Sequence, residues 1–215
     1  MTPERDKKLV LEIKIAPETM ARANAVVGIM RSEAYQTMTA LKKIRFIYSE
    51  LDKFADSMAK QAVCSKGCAH CCNIPVEVLP IETLHIEHYT GYSKQPKKLR
   101  KTPSKAHMDY CPFLDRGKME CKIYEVRPFN CRSFYTFDDP ELCRTGAPHY
   151  TTGGPKNAFG SPFIFFLAKE LIQIELGYIP DLRDNELTVE KAKILMHKLS
   201  SRTHDLRYLY GEQPL

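Results

Sequence analysis

Four cysteines fall within nine residues, Cys64-Ser-Lys-Gly-Cys68-Ala-His-Cys71-Cys72, with glycine and small residues between them. Four more follow at wide intervals: Cys111, Cys121, Cys131 and Cys143, with nine, nine and eleven residues between successive thiols. Thiolates crowded in this way suit a shared soft cation, either Zn²⁺ or the iron of an iron–sulfur cluster. The compact run has no second short knuckle to pair with, so this is not an ordinary zinc ribbon. Cys71 and Cys72 are neighbours, and two adjacent thiolates rarely reach one ion without strain. They can serve two ions, one can bridge two, or one can stay a free thiol of low pKa. Spacing leaves these choices open.

Disulfides are the competing use of eight cysteines. At 215 residues, 43% hydrophobic and 27% charged, the chain is long enough to bury a core without covalent staples. Its opening residues, Met1-Thr-Pro-Glu-Arg-Asp-Lys-Lys, are charged and unlike a secretory leader. The longest strongly apolar run, residues 163–168, is too short to cross a bilayer. The sequence therefore predicts a cytoplasmic protein without a membrane segment, where clustered thiols ligate metal rather than pair.

Other side chains that could do chemistry are sparse. His70 lies inside the cysteine loop and is a possible ligand that the thiols make unnecessary; His85 and His88 fall on a helix and read as surface or core-edge residues. Arg127 and Arg132 flank Pro128 and Cys131, where guanidinium groups can donate to thiolates or form ordinary ion pairs. Nothing resembles a catalytic triad, a phosphate-binding glycine loop or a dinucleotide fingerprint, and no catalytic residue is identified. Lys94, Lys97, Lys98, Arg100, Lys101 and Lys105 form an acid-free run whose six cations equal the net charge of +6. It reads as a solvated loop, or as a docking surface over 94–105 for nucleic acid or an acidic partner.

The spacing at 64–72, C-x₃-C-x₂-C-C, resembles that of the YkgJ-type cysteine cluster proteins, a family associated with zinc or iron chelation. So does the later run Cys111-Pro-Phe-Leu, Cys121-x-Ile123-Tyr124-x-x-Arg127-Pro128-x-x-Cys131-Arg132. The resemblance covers about residues 64–135. It implies metal binding through Cys64, Cys68, Cys71, Cys72, Cys111, Cys121 and Cys131, with Cys143 in less similar surroundings. A related cysteine region occurs in flagellin lysine methylases, which raises a protein-modifying enzyme as an alternative.

The elements that must position these thiols are mostly helical. Helical character begins near Glu18 and runs to Met30, interrupted in pattern by Gly28; Ser32 then offers an N-cap for the next helix. Leu41, Ile44, Tyr48, Leu51, Ala55, Met58 and Ala62 make a stripe at steps of three and four. That stripe fits packing within a monomer, or a homodimer through the 33–62 helix. Gly67 permits the turn between Cys64 and Cys68, residues 74–78 read as extended, and Pro80 to Gly91 brackets a helix. Asp115-Arg-Gly-Lys118 predicts a hairpin with Cys111 and Cys121 on its two strands. Residues 136–160 read as loop, Ser161-Pro162 opens a helix, and Thr188 opens a final one.

The resulting expectation is a mainly α protein, its helices packed around an irregular cysteine-rich core with a small β-hairpin. It divides into a helical segment at 1–63, a cysteine region at 64–145 and a second helical segment at 146–215. The function it points to is coordination of zinc or iron, with iron–sulfur redox chemistry as one alternative. An enzyme acting on protein or nucleic acid through the metal is another.

Overall fold

The computed structural model describes residues 15–95, 110–147, 149, 151–152, 161–176, 204–205 and 209–210. The lead-in at 1–14, most of the basic run and the helix expected from Thr188 lie outside these residues. The described part is mainly α, as the sequence predicts. Its helices are α1 (Pro17–Arg31), α2 (Glu33–Gln36), α3 (Ala40–Ala59), α4 (Pro80–Thr90), α5 (Phe129–Ser133), α6 (Glu141–Thr145) and α7 (Pro162–Leu176).

Helix α3 is the axis of the core. Ile44, Tyr48, Leu51, Ala55 and Met58 of the predicted stripe are buried along one side together with Ile47 and Phe54, whereas Leu41 is half-buried and Ala62 falls beyond the helix end. Helices α1, α4, α5 and α7 all pack on α3. Burying each such aliphatic or aromatic side chain contributes about 1.5–3 kcal/mol. The face that a coiled-coil dimer would use is therefore covered within the chain. Phe163, Ile164, Leu167 and Leu171 of α7 enter the same core, with Phe54 and Phe163 rings 5.0 Å apart.

Two boundaries differ from the sequence reading. Ser32 caps only the four-residue α2, its Oγ accepting from the Tyr35 amide; the long helix starts later, under a Thr39 cap. The reason is that Met38 and Thr39 break the helical run before the apolar stripe begins. Gly28 does not interrupt α1, since the helix continues around it with open space on that side. Helix α4 agrees closely with expectation, from Pro80 to a Gly91 C-cap at φ +73°, where a left-handed conformation favours glycine.

Among the described residues the strands form three two-residue antiparallel ladders where the sequence predicts one hairpin. β1 (Glu77–Val78) pairs with β6 (His204–Asp205), β2 (Leu114–Asp115) with β3 (Glu120–Cys121), and β4 (Tyr135–Thr136) with β5 (Thr151–Thr152). The middle ladder is the expected hairpin, its turn closed by Asp115 accepting from the Gly117 and Lys118 amides at 3.0 Å. The stretch read as loop after residue 136 holds both α6 and β5. Its short elements have too few residues to show a period.

A second, smaller core lies beneath the cysteines: Val78, Ile86, Phe113, Ile123, Leu209 and Tyr210. Phe113 stacks between Tyr92 and Tyr210, at ring distances of 5.3 and 4.9 Å.

Candidate metal centre

All eight cysteines are free thiols; none is paired in a disulfide. The compact run folds as a turn followed by a single 3₁₀ turn, His70–Asn73, with Gly67 at φ +88° reversing the chain between Cys64 and Cys68. The Cys68 amide donates to the Ser65 carbonyl at 3.0 Å, and the Cys72 amide to Ala69 at 2.9 Å. These local bonds hold the backbone between the four thiols in a tight coil.

Distant segments are then tied onto that coil. The Cys111 amide donates to the Cys72 carbonyl at 2.8 Å, and Lys66 pairs with Glu120 at 3.0 Å. The hairpin is thereby fixed against the coil from both ends. Cys121 lies on β3 opposite Leu114, whereas Cys111 precedes β2 by three residues; the expectation that both sit on strands holds only for Cys121. A turn closed by the Leu114 amide on the Cys111 carbonyl carries Cys111 back toward the coil.

Cys131 arrives on α5, whose first amide, Phe129, is held by the buried Glu82 carboxylate at 2.7 Å. Glu82 also accepts from the Leu79 amide and the Tyr48 hydroxyl, both at 2.8 Å. One carboxylate thus joins α3, α4 and the start of α5. In sequence Glu82 is one polar residue among several on this helix. The capping position three residues into α4 was the available signal.

Cys143 is the buried thiol of the eight, carried by α6, which packs directly on the 70–73 turn. Strand β4 brings the Thr136 amide to 3.4 Å from Cys64 Sγ, and the Val63 amide donates to the Thr136 carbonyl at 3.0 Å.

The thiols form two neighbourhoods. Burial pushes the Cys143 thiol up to about 12, and the nearby Cys71, Cys64 and Cys68 thiols push it further in the same direction. Cys64 is raised by burial and by Cys71 and Cys68, against the opposing Thr136 amide. In the second group burial pushes Cys111 up to about 12, with Cys121 and Cys71 adding to it. Cys131 is raised by burial, then by Cys111, Cys71 and Cys121. Cys121 is raised by burial as well, with Arg127 opposing. Between the groups stands the Cys71–Cys72 pair. A hydrogen bond from Cys72 draws Cys71 down to about 7, and the same bond drives Cys72 well up. The surroundings of Cys71 favour its ionisation, and its charge acts on Cys64 and Cys143 in one group and on Cys111, Cys121 and Cys131 in the other.

Among the described residues no three Cys, His, Asp or Glu side chains close on a single point at ligand spacing. What is present is a gathered set of free, soft donors, most of them held protonated by burial and by one another. That donor chemistry fits zinc or iron, whose binding would replace those protons.

The flanking arginines make ion pairs. Arg132 is buried at 2% exposure, pairs with Asp52, donates to the Arg127 and Glu125 carbonyls and lies 4.3 Å over the Tyr48 ring. Arg127 pairs with Asp52 at 3.4 Å and lies 3.8 Å over Tyr124. His85 is buried between Tyr48 and Tyr89, away from any role at the surface; the burial exceeds the core-edge position expected for it. Lys94, at the start of the basic run, pairs with Glu87 at 3.0 Å.

Residues 63–148 match the model of the CxxCxxCC family, described as a "Putative zinc- or iron-chelating domain". The matched segment is less than half of the chain and contains all eight cysteines. No curated protein and no solved structure matches it. Family match and free, gathered thiols together support metal binding by this region. No helix among the described residues is long and apolar enough to cross a membrane.

Proposed function

We propose that the chain binds zinc or iron through Cys64, Cys68, Cys71, Cys72, Cys111, Cys121, Cys131 and Cys143, a reading supported by the match of residues 63–148 to the CxxCxxCC family model. The observation that carries this reading is the convergence of three sequence-distant segments on the 64–72 coil, each delivering a free thiol. Two neighbourhoods sharing an adjacent pair suit two ions, or one cluster with thiols to spare. A bound centre would supply either a structural cross-link or, as an iron–sulfur cluster, one-electron redox chemistry.

The chain's own residues prepare that binding in three ways. Arg127, while paired with Asp52, favours ionisation of Cys71 and Cys121, and Arg132 favours that of Cys121. Exposed Cys64 and Cys71 give an ion a way in, and Cys143 offers a buried thiol. Glu82 and Asp52 anchor the α5 turn that presents Cys131.

Anaerobic purification followed by metal and acid-labile sulfide analysis, with an absorption spectrum, tests the reading. Zinc at one or two per chain without sulfide assigns a structural or Lewis-acid centre. Iron with matching sulfide and visible charge-transfer bands assigns a cluster. A metal-free protein with eight reactive thiols rejects the proposal.

A further inference from the structure

His149 lies one residue beyond the family match, and nothing in its sequence context marks it. Its ring is nevertheless held in a defined way. Nδ1 is 2.7 Å from the Ala147 carbonyl oxygen. A carbonyl only accepts, so Nδ1 carries the proton and Nε2 keeps its lone pair. That lone pair faces Cys143 Sγ at 3.1 Å. Orientation of an imidazole through a hydrogen bond from its other nitrogen is how metal-bound histidines are held.

A separate observation places His149 at the same corner as two more thiols. Thr151, two residues on, pairs with Thr136 across the β4–β5 ladder. The Thr136 amide is 3.4 Å from Cys64 Sγ. Cys68 follows Cys64 through the Gly67 turn, α6 packs Cys143 on the adjoining 70–73 turn, and Cys64 and Cys68 are among the thiols that act electrostatically on Cys143. Cys111 is tied instead to the Cys72 carbonyl, and Cys121 lies on the hairpin strand β3.

We infer that His149 is a nitrogen ligand, completing with Cys64, Cys68 and Cys143 a Cys₃His metal site separate from the thiols gathered around the hairpin. The inference rests on the metal-binding reading above and deepens it. Tetrahedral zinc, with bonds of about 2.3 Å to sulfur and 2.0 Å to nitrogen, holds those two atoms about 3.5 Å apart. The Cys143–His149 pair needs to open by only a few tenths of an ångström, while Cys64 and Cys68 must close in on it, since no three donors meet at one point among the described residues. A nucleophilic Cys–His pair is the other chemistry such a contact allows, but Cys143 is 5% exposed and has no access to a substrate.

The test is Co²⁺ titration of the full chain, reduced and stripped with a chelator, followed by visible absorption. His149→Ala and His149→Cys are compared with wild type, and circular dichroism is recorded for each. Wild type takes up Co²⁺ in two distinguishable steps. His149→Ala loses one step, or binds in that step at least tenfold more weakly, with its ligand-field bands shifted. His149→Cys restores the step with stronger sulfur-to-cobalt charge transfer. If His149→Ala matches wild type in stoichiometry, affinity and bands, His149 is not a ligand and the thiol reading stands alone. If His149→Ala fails to fold, a His149→Cys spectrum unchanged from wild type overturns the inference equally. Wild type that takes up no Co²⁺ overturns this site and the metal-binding proposal together.

Discussion

The Cys111 amide donates to the Cys72 carbonyl at 2.8 Å, joining two thiol-bearing segments across 38 intervening residues. This backbone bond fixes the hairpin on the cysteine coil whatever the side chains do. The site is thus held by the fold as well as by any ion it takes. Cys111→Ser should therefore lower metal content and increase proteolysis of residues 110–135 together, while the helical core around α3 stays intact. Metal content by mass spectrometry and limited proteolysis on the same samples check this. Full metal content with unchanged cleavage would remove Cys111 from the ligand set.

Uptake of metal should release protons. Burial holds Cys111 and Cys143 up at about 12, so both enter binding as neutral thiols at pH 7 and must lose their protons to ligate. Apparent affinity should then rise with pH through the neutral range. Calorimetry in buffers of different ionisation enthalpy should show about two or more protons released per ion, as deprotonation of raised thiols requires. Uptake with no proton release contradicts ligation by these two thiols.

Glu82 accepts three hydrogen bonds in the core, and its loss leaves the Tyr48 hydroxyl and two backbone amides without that partner. Glu82→Ala should cost about 3 kcal/mol, and Glu82→Gln about 1 kcal/mol because one oxygen still accepts. Urea denaturation measures both. Equal costs would mean that packing, rather than these bonds, sets the value of the position.

Asp52 is the carboxylate that offsets the buried Arg132 guanidinium. Two backbone carbonyls and the Tyr48 ring also face that charge, so Asp52→Ala should cost about 2 kcal/mol rather than the full penalty of a stranded ion. The Asp52→Ala/Arg132→Met double variant should recover part of that loss. A double variant less stable than the sum of the singles contradicts this arrangement.

His85 gives a signed pH dependence. Burial first, then Arg132, Arg45 and His88, hold its pKa down to about 4 from 6.5. The unfolded chain therefore binds a proton that the native state refuses between those values. Stability is fully present above about pH 6.5 and falls as pH drops toward 4, by up to about 3 kcal/mol at the limit. The difference in stability between wild type and His85→Phe should follow that curve and flatten above pH 7. A difference independent of pH would show that His85 takes up its proton equally in the folded and unfolded chains.

Much of this organisation is legible in the sequence because its signals are periodic or local. The α3 stripe repeats over five turns, Pro80 and Gly91 bracket α4, and Asp115–Lys118 closes a hairpin through its own side chain. The thiol set is legible because cysteine spacing is a strong chemical signal. What the sequence does not disclose is built from single long-range contacts. Glu82 reaches Phe129 across 47 residues, and Asp52 reaches Arg132 across 80. Helix α6 and strand β5 are too short to carry a pattern, so the placement of Cys143 beside His149 emerges only from tertiary packing. Arg127 and Arg132 illustrate the same limit: spacing offers thiolates or carboxylates as partners, and geometry selects Asp52.

Native mass spectrometry of the anaerobically purified chain, before and after chelation and with iodoacetamide labelling in each state, tests the central claim most directly. The account predicts a mass above that of the bare chain by one or more zinc or iron ions, or by a cluster. It also predicts thiols protected in that state and labelled after chelation. A bare-chain mass with all eight thiols labelled at once, or with eight hydrogens lost to four disulfides, would contradict it.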